Sequence, residues 1–144
     1  GALVGIGSLI LRDATGDDPH VPGNMFVPID LLKPILPDLV RIGRRSGPAR
    51  PWLGVNADEV QGRLLVARVS PGGPADQAGV HAGDIILAVG SEPVHTQAEF
   101  YRKVWGRGSA GSEIPLRVLQ DSDVRELTLR SIDRVDYFRK KPMY

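Results

Sequence analysis

Apolar and polar positions alternate along this chain in short bursts, each the length of one strand or one small helix. Residues 2–11 are a run rich in Leu, Val and Ile and predict a strand, with Gly5 and Gly7 marking close backbone approach. Residues 12–20 are charged and turn-rich, which predicts an exposed loop. Residues 25–29 form a second short strand, and Pro28 places it at an edge or a strand end. Asp30 then offers a cap to an amphipathic helix with Leu32, Ile35, Leu36 and Leu39 at i, i+3, i+4 and i+7. Pro34 suits its first turn, Pro37 should bend it, and Gly43 ends it. Residues 44–51 form a polar linker.

The second part of the chain is better punctuated. Residues 64–69 predict a strand broken by Pro71 and the Gly72-Gly73-Pro74 run, and Pro74 fits the first turn of a helix reaching Ala78. Gly79 suits the left-handed position that stops it. Gly83-Asp84 makes a tight turn into the strand Ile85–Val89, closed by Gly90. Thr96-Gln97-Ala98-Glu99 is a capping box, with the Thr96 hydroxyl accepting from the Glu99 N–H while the glutamate reaches back. The helix it opens runs from Gln97 to about Trp105. Residues 114–118 and 127–130 form a hairpin across the 120–123 turn, and residues 135–144 are a basic, partly aromatic tail that folds back or frays.

Composition narrows the partners. Eighteen basic and seventeen acidic side chains leave a net charge of +1, which makes no electrostatic case for nucleic acid. Cysteine is absent, so there is no disulfide framework and no thiolate metal site. No apolar run reaches the roughly 18 residues of a membrane span. Gly1 to Gly7 lacks the basic start of a signal peptide and reads as the middle of a longer protein opened at a strand.

Two ordered sets of motifs resemble one family. The order of strand, small helix, Ala78-Gly79-x-x-Ala82-Gly83-Asp84 turn and Ile86-Leu87-Ala88-Val89-Gly90 strand resembles the PDZ domain of HtrA-type serine proteases, over about residues 50–134. Leu3-Val4-Gly5-Ile6-Gly7, Met25-Phe26-Val27-Pro28-Ile29 and the helix after them resemble the last pieces of that family's trypsin-like domain, more loosely. The resemblance implies a mainly β, α+β fold: a PDZ-like, partly open β-barrel or sandwich with two helices. Two strands and a helix from a trypsin-like β-barrel precede it. The implied division is 1–46 as protease remnant and linker helix, 47–134 as PDZ domain and 135–144 as tail. The family's catalytic serine sits in a G-x-S-G-G segment that would lie upstream of Gly1. The resemblance also implies a parent endopeptidase acting on unfolded or damaged proteins in the periplasm or cell envelope. A PDZ scaffold on a degenerate protease, or a PDZ module of another envelope protein, are the alternatives.

Catalytic chemistry finds little support in the residues themselves. His20, His81 and His95 are not spaced as metal pairs, and Ser8 lacks the flanking glycines of a nucleophile elbow. Gly5-Ile6-Gly7 does not complete a phosphate loop, and Asp13, Asp17 and Asp18 match no EF-hand spacing and read as a solvated loop. No catalytic residue, metal or cofactor is expected in this chain.

Binding is better supported. A peptide terminus needs N–H donors for its carboxylate, a strand edge for its backbone and an apolar pocket for its last side chain. Leu53-Gly54-Val55 supplies all three, because glycine lets the loop curl and its neighbours are large and apolar. The helix from Gln97 is the other wall. Phe100 and Val104 share one face, and Gln97, Tyr101 and Trp105 share the adjacent one; spacing alone leaves open which is core. The family pattern favours Phe100 and Val104 near the pocket and Tyr101 toward the ligand, with Arg50 as a basic residue before the loop. The expected peptide-binding set is Arg50, Trp52, Leu53, Gly54, Val55, Asn56, Ala57, Phe100, Tyr101 and Val104. The expected partners are C-terminal or extended hydrophobic segments of proteins, and a further copy of the chain through residues 1–46.

Overall fold

A computed structural model describes residues 2–11 and 23–139. Two compact units divide the chain at Gly47/Pro48. The loop expected at 12–20, with His20 and its three aspartates, and the end of the tail lie outside the described residues.

The first unit is a two-stranded antiparallel sheet, β1 (Gly5–Leu11) and β2 (Gly23–Pro28), with an irregularity in register between Gly7 and Leu9. Two short helices follow, α1 (Ile29–Leu32) and α2 (Leu36–Ile42), in place of one bent helix. The break falls at residues 33–35, ahead of Pro37. Pro37 then sits in the first turn of α2, where its missing N–H removes no intrahelical bond. Asp30 is not the cap: Pro28 holds that position, and the Asp30 carboxylate meets Lys33 Nζ at 2.6 Å. Gly43 ends α2 in the left-handed region at φ +71°, its N–H on the Leu39 carbonyl. Neither helix has a buried residue, and Val4, Phe26 and Val40 are mostly exposed.

The second unit is an open antiparallel sheet in the order β3-β4-β5-β7-β8, with β6 pairing β5. Its strands are β3 (Val55–Val60), β4 (Arg63–Val69), β5 (Ile85–Val89), β6 (Glu92–Pro93), β7 (Glu113–Gln120) and β8 (Asp123–Arg130). Period-two alternation sends Ile114, Leu116 and Val118 of β7 inward. They meet Leu64, Val66, Ile86 and Leu129 and the buried side of α4 (Gln97–Gly106) in one core. A small helix, α3 (Pro74–Gln77), closes one end, its Ala75 fully buried. The β3–β4 and β7–β8 hairpins turn on Gln61 and Asp121, both at positive φ.

The capping box of α4 forms with one change. Thr96 Oγ1 accepts from the Glu99 N–H at 3.2 Å, but the Glu99 carboxylate reaches past Thr96 to accept from His95 N–H at 2.9 Å. That bond holds the Glu99 carboxyl below its usual value. Residues 134–139 form a further helix, α5 (Arg134–Arg139), where a tail that folds back or frays was expected from residue 135 onward. The Val135 N–H donates to the Asp133 carboxylate at 2.9 Å, which caps the start of this helix. Tyr137 anchors α5, donating to the Pro71 carbonyl at 2.8 Å and lying 4.6 Å from the Trp52 ring.

Candidate functional site

The chain enters the sheet through residues 52–55, and the backbone there is held from one side only. Trp52 bridges to Ile132 by two hydrogen bonds of 3.0 and 3.1 Å. The Leu53 carbonyl accepts from Ala75 N–H at 2.9 Å and the Gly54 carbonyl from Ser70 N–H at 2.8 Å. Among the described residues, the N–H groups of Leu53 and Gly54 donate to no protein acceptor. Gly54 lies at φ +76°, and a Cβ there would stand 3.2 Å from both Ser70 and the Trp52 ring. Only glycine lets this loop curl so that neighbouring donors converge. Any side chain at Gly54 would therefore disturb the loop itself as well as what approaches it.

Beyond the loop, β3 is the edge of the sheet, paired among the described residues with β4 alone. Its open side faces α4, and the helix faces are now assigned. Phe100 and Val104 are each only 1% exposed and belong to the core. Gln97 and Tyr101 look onto the edge strand, as the next two bonds show, and Trp105 stacks beside Tyr101. Gln97 Nε2 donates to the Ala57 carbonyl at 2.7 Å, and the Tyr101 hydroxyl donates weakly to the Val55 carbonyl at 3.4 Å. The backbone N–H of Gln97 is capped by Glu59 Oε1 at 2.8 Å. Two carbonyls that an added strand would use are thus already bonded by the helix. Gln97→Ala should free the Ala57 carbonyl. A peptide adding to β3 is expected to bind several-fold tighter, and the domain to lose about 1 kcal/mol of stability, as calorimetry and melting together would read.

The loop, β3 and the C-terminal half of α4 enclose a cavity of about 540 Å³. Of the expected residues, Arg50, Trp52, Gly54, Val55, Asn56, Tyr101 and Val104 line it. Leu53 and Ala57 are buried, and they reach the groove through backbone groups. Phe100 packs in the core instead, one helical position from the groove face, and does not line the cavity. Sequence reasoning missed Gln97 as a strand partner and missed Arg68, Trp105, Arg134 and Phe138 in the lining. The Arg50 guanidinium lies 4.2 Å from the centre of the Trp105 ring. Burial pushes the Tyr101 phenol above its usual range, against the opposing pull of Arg134 nearby.

Loop, open strand edge and facing helix make up the PDZ architecture, and the chain belongs to the PDZ-domain family, which matches residues 51–130. Its similarity to known proteins extends further, to serine endoproteases of the DegP and DegS type. It is 30% identical over 141 residues to the probable periplasmic serine endoprotease DegP-like of Halomonas elongata, covering 90% of this chain and 28% of that protein. It is 31% identical over 144 residues to serine endoprotease DegS of Escherichia coli, covering 90% of this chain and 38% of that protein. The chain thus spans well under half the length of these relatives. Among solved structures it resembles the serine endoprotease from Yersinia pestis at 29% identity and TM-score 0.56, over 92% of this chain and 43% of that one. The HtrA-type protease AlgW, solved with a decapeptide, shares the fold at 22% identity and TM-score 0.60, over 92% of this chain and 42% of that one. The HtrA-type resemblance read from the motifs is supported by these relatives and by the fold.

Proposed function

We propose that residues 47–134 bind C-terminal or extended hydrophobic protein segments by adding them to the edge of β3. The ligand carboxylate sits on the Leu53 and Gly54 N–H groups beside Arg50. Trp52, Val55, Asn56, Tyr101 and Val104 surround the last side chain, and Ala57 offers its backbone to the residue two before it. The observation that carries this reading is the pair of N–H groups without a protein acceptor, next to carbonyls tied firmly away from the groove. On this reading residues 1–46 are the end of a trypsin-like protease domain with its linker helix. The exposed apolar side chains of β1 and β2 are then surface that the rest of such a barrel, or a second copy, covers. The parent is a serine endopeptidase of the periplasm or envelope, in keeping with the relatives' names; its substrates are unfolded or damaged proteins, and this chain binds without cleaving.

The test is calorimetry with a short peptide ending in an apolar residue. With a free terminus it is expected to bind at about micromolar strength, near −8 kcal/mol. Amidation removes the charge that the loop donors meet, and affinity should fall at least several-fold. Equal binding of the two forms would assign the groove to internal segments and end the carboxylate role of Leu53 and Gly54.

A further inference from the structure

The cavity at the carboxylate end of the groove is lopsided in charge. Arg50, Arg68 and Arg134 line it, and among the described residues no Asp or Glu does. Among the described residues, none of the three lies within ion-pair distance of a carboxylate, whereas Arg107 and Arg117 elsewhere in the same unit each hold a glutamate. A chain of net charge +1 has thus gathered three unpaired cations around one pocket. One loop N–H pair and one guanidinium suffice for a single terminal carboxylate, so the remaining charge exceeds what that group needs.

Two of the three guanidiniums rest against aromatic rings. Arg50 lies over Trp105, and Arg134 is 5.4 Å from the centre of the Phe138 ring. Stacking of this kind limits the freedom of the side chain while leaving its N–H edges available to an anion. Arg134 and Phe138 both come from α5, which lies outside the residues matched by the PDZ family. The helix therefore adds a wall that the common fold does not supply.

Resting on the peptide-binding function above, we propose that α5 makes this groove select C-terminal segments that carry an acidic side chain within the last few residues, in addition to the terminal carboxylate. Arg134 provides the second anion contact, with Arg50 and Arg68 reinforcing it. Charge complementarity identifies the occupant: an acidic, apolar-ended protein terminus. The side-chain contact lies at the rim of an open cavity, so its contribution is screened by salt.

The test uses the whole chain and free-acid hexapeptides ending in leucine, identical except for Glu or Gln at one of the three positions before the last. At low ionic strength, one Glu peptide should bind about tenfold tighter than its Gln counterpart, and the gap should shrink at high salt. Arg134→Gln should remove most of that gap, because it weakens the Glu peptide much more than the Gln peptides. Equal binding of Glu and Gln at all three positions would overturn the acidic preference and leave the peptide-binding function standing. A Glu preference that survives Arg134→Gln would overturn the role of α5. Failure of every free-acid peptide to bind would defeat the peptide-binding function, and this inference with it.

Discussion

Replacing Asp84 by alanine is expected to destabilise the PDZ unit by about 3 kcal/mol. The side chain is 7% exposed, and its Oδ2 accepts from the His81 N–H at 2.8 Å and from Gln120 Nε2 at 2.7 Å. Gln120, itself 8% exposed, also donates to the Gly79 carbonyl at 2.7 Å. One carboxylate therefore ties the turn before β5 to the end of β7 and, through Gln120, to the end of α3. Hydrogen bonds to a charged group are worth about 1.5–3 kcal/mol each, and stranding a buried donor adds to the loss. For a domain of this size each kcal/mol lowers the melting temperature by about 4–8 °C. Asp84→Asn keeps an oxygen acceptor and should lose less than half as much. A melting temperature within a few degrees of the parent for Asp84→Ala would show that this network is dispensable.

Phe100→Ala is expected to cost about 3–5 kcal/mol in stability, because it empties the largest fully buried position of the core. Peptide affinity of the molecules that remain folded should change little. Tyr101→Ala should do the reverse. Its ring is half-exposed and stacks 5.6 Å from Trp105, and its hydroxyl meets the edge strand, so stability falls modestly and binding changes clearly. Denaturant midpoints paired with calorimetry below the transition would separate the two effects. Loss of binding without loss of stability in Phe100→Ala would return that residue to the groove.

Most of the second unit was legible because its signals are local. Glycines at positive φ, the Pro74 start of α3, the Thr96 cap and the alternation in β7 act over a few residues and leave a sequence trace. β3 was harder. The alternation of Val55 and Ala57 is short, and its continuation in Asp58 and Glu59 is polar because that stretch is an exposed sheet edge. α5 is brief, and its stability comes from the contact of Tyr137 with Trp52 and Pro71, more than 60 residues away in the chain. In the first unit Pro37 suggested a kink, yet it marks the start of a new helix, since a proline in a first turn and one in mid-helix look alike in sequence.

The residue order by itself determined the donor loop at Leu53–Val55, the α4 cap, the turn that needs Asp84 and the family likeness, all of them consequences of backbone geometry written in Gly, Pro and capping residues. Only the tertiary structure decided which face of α4 meets the core, that Gln97 and Tyr101 hold the edge carbonyls, and that Arg134 and Phe138 join the cavity. Those outcomes depend on packing between segments distant in the chain. Phe100 and Tyr101 are adjacent in sequence and similar in size, and only the position of the sheet beneath the helix tells them apart.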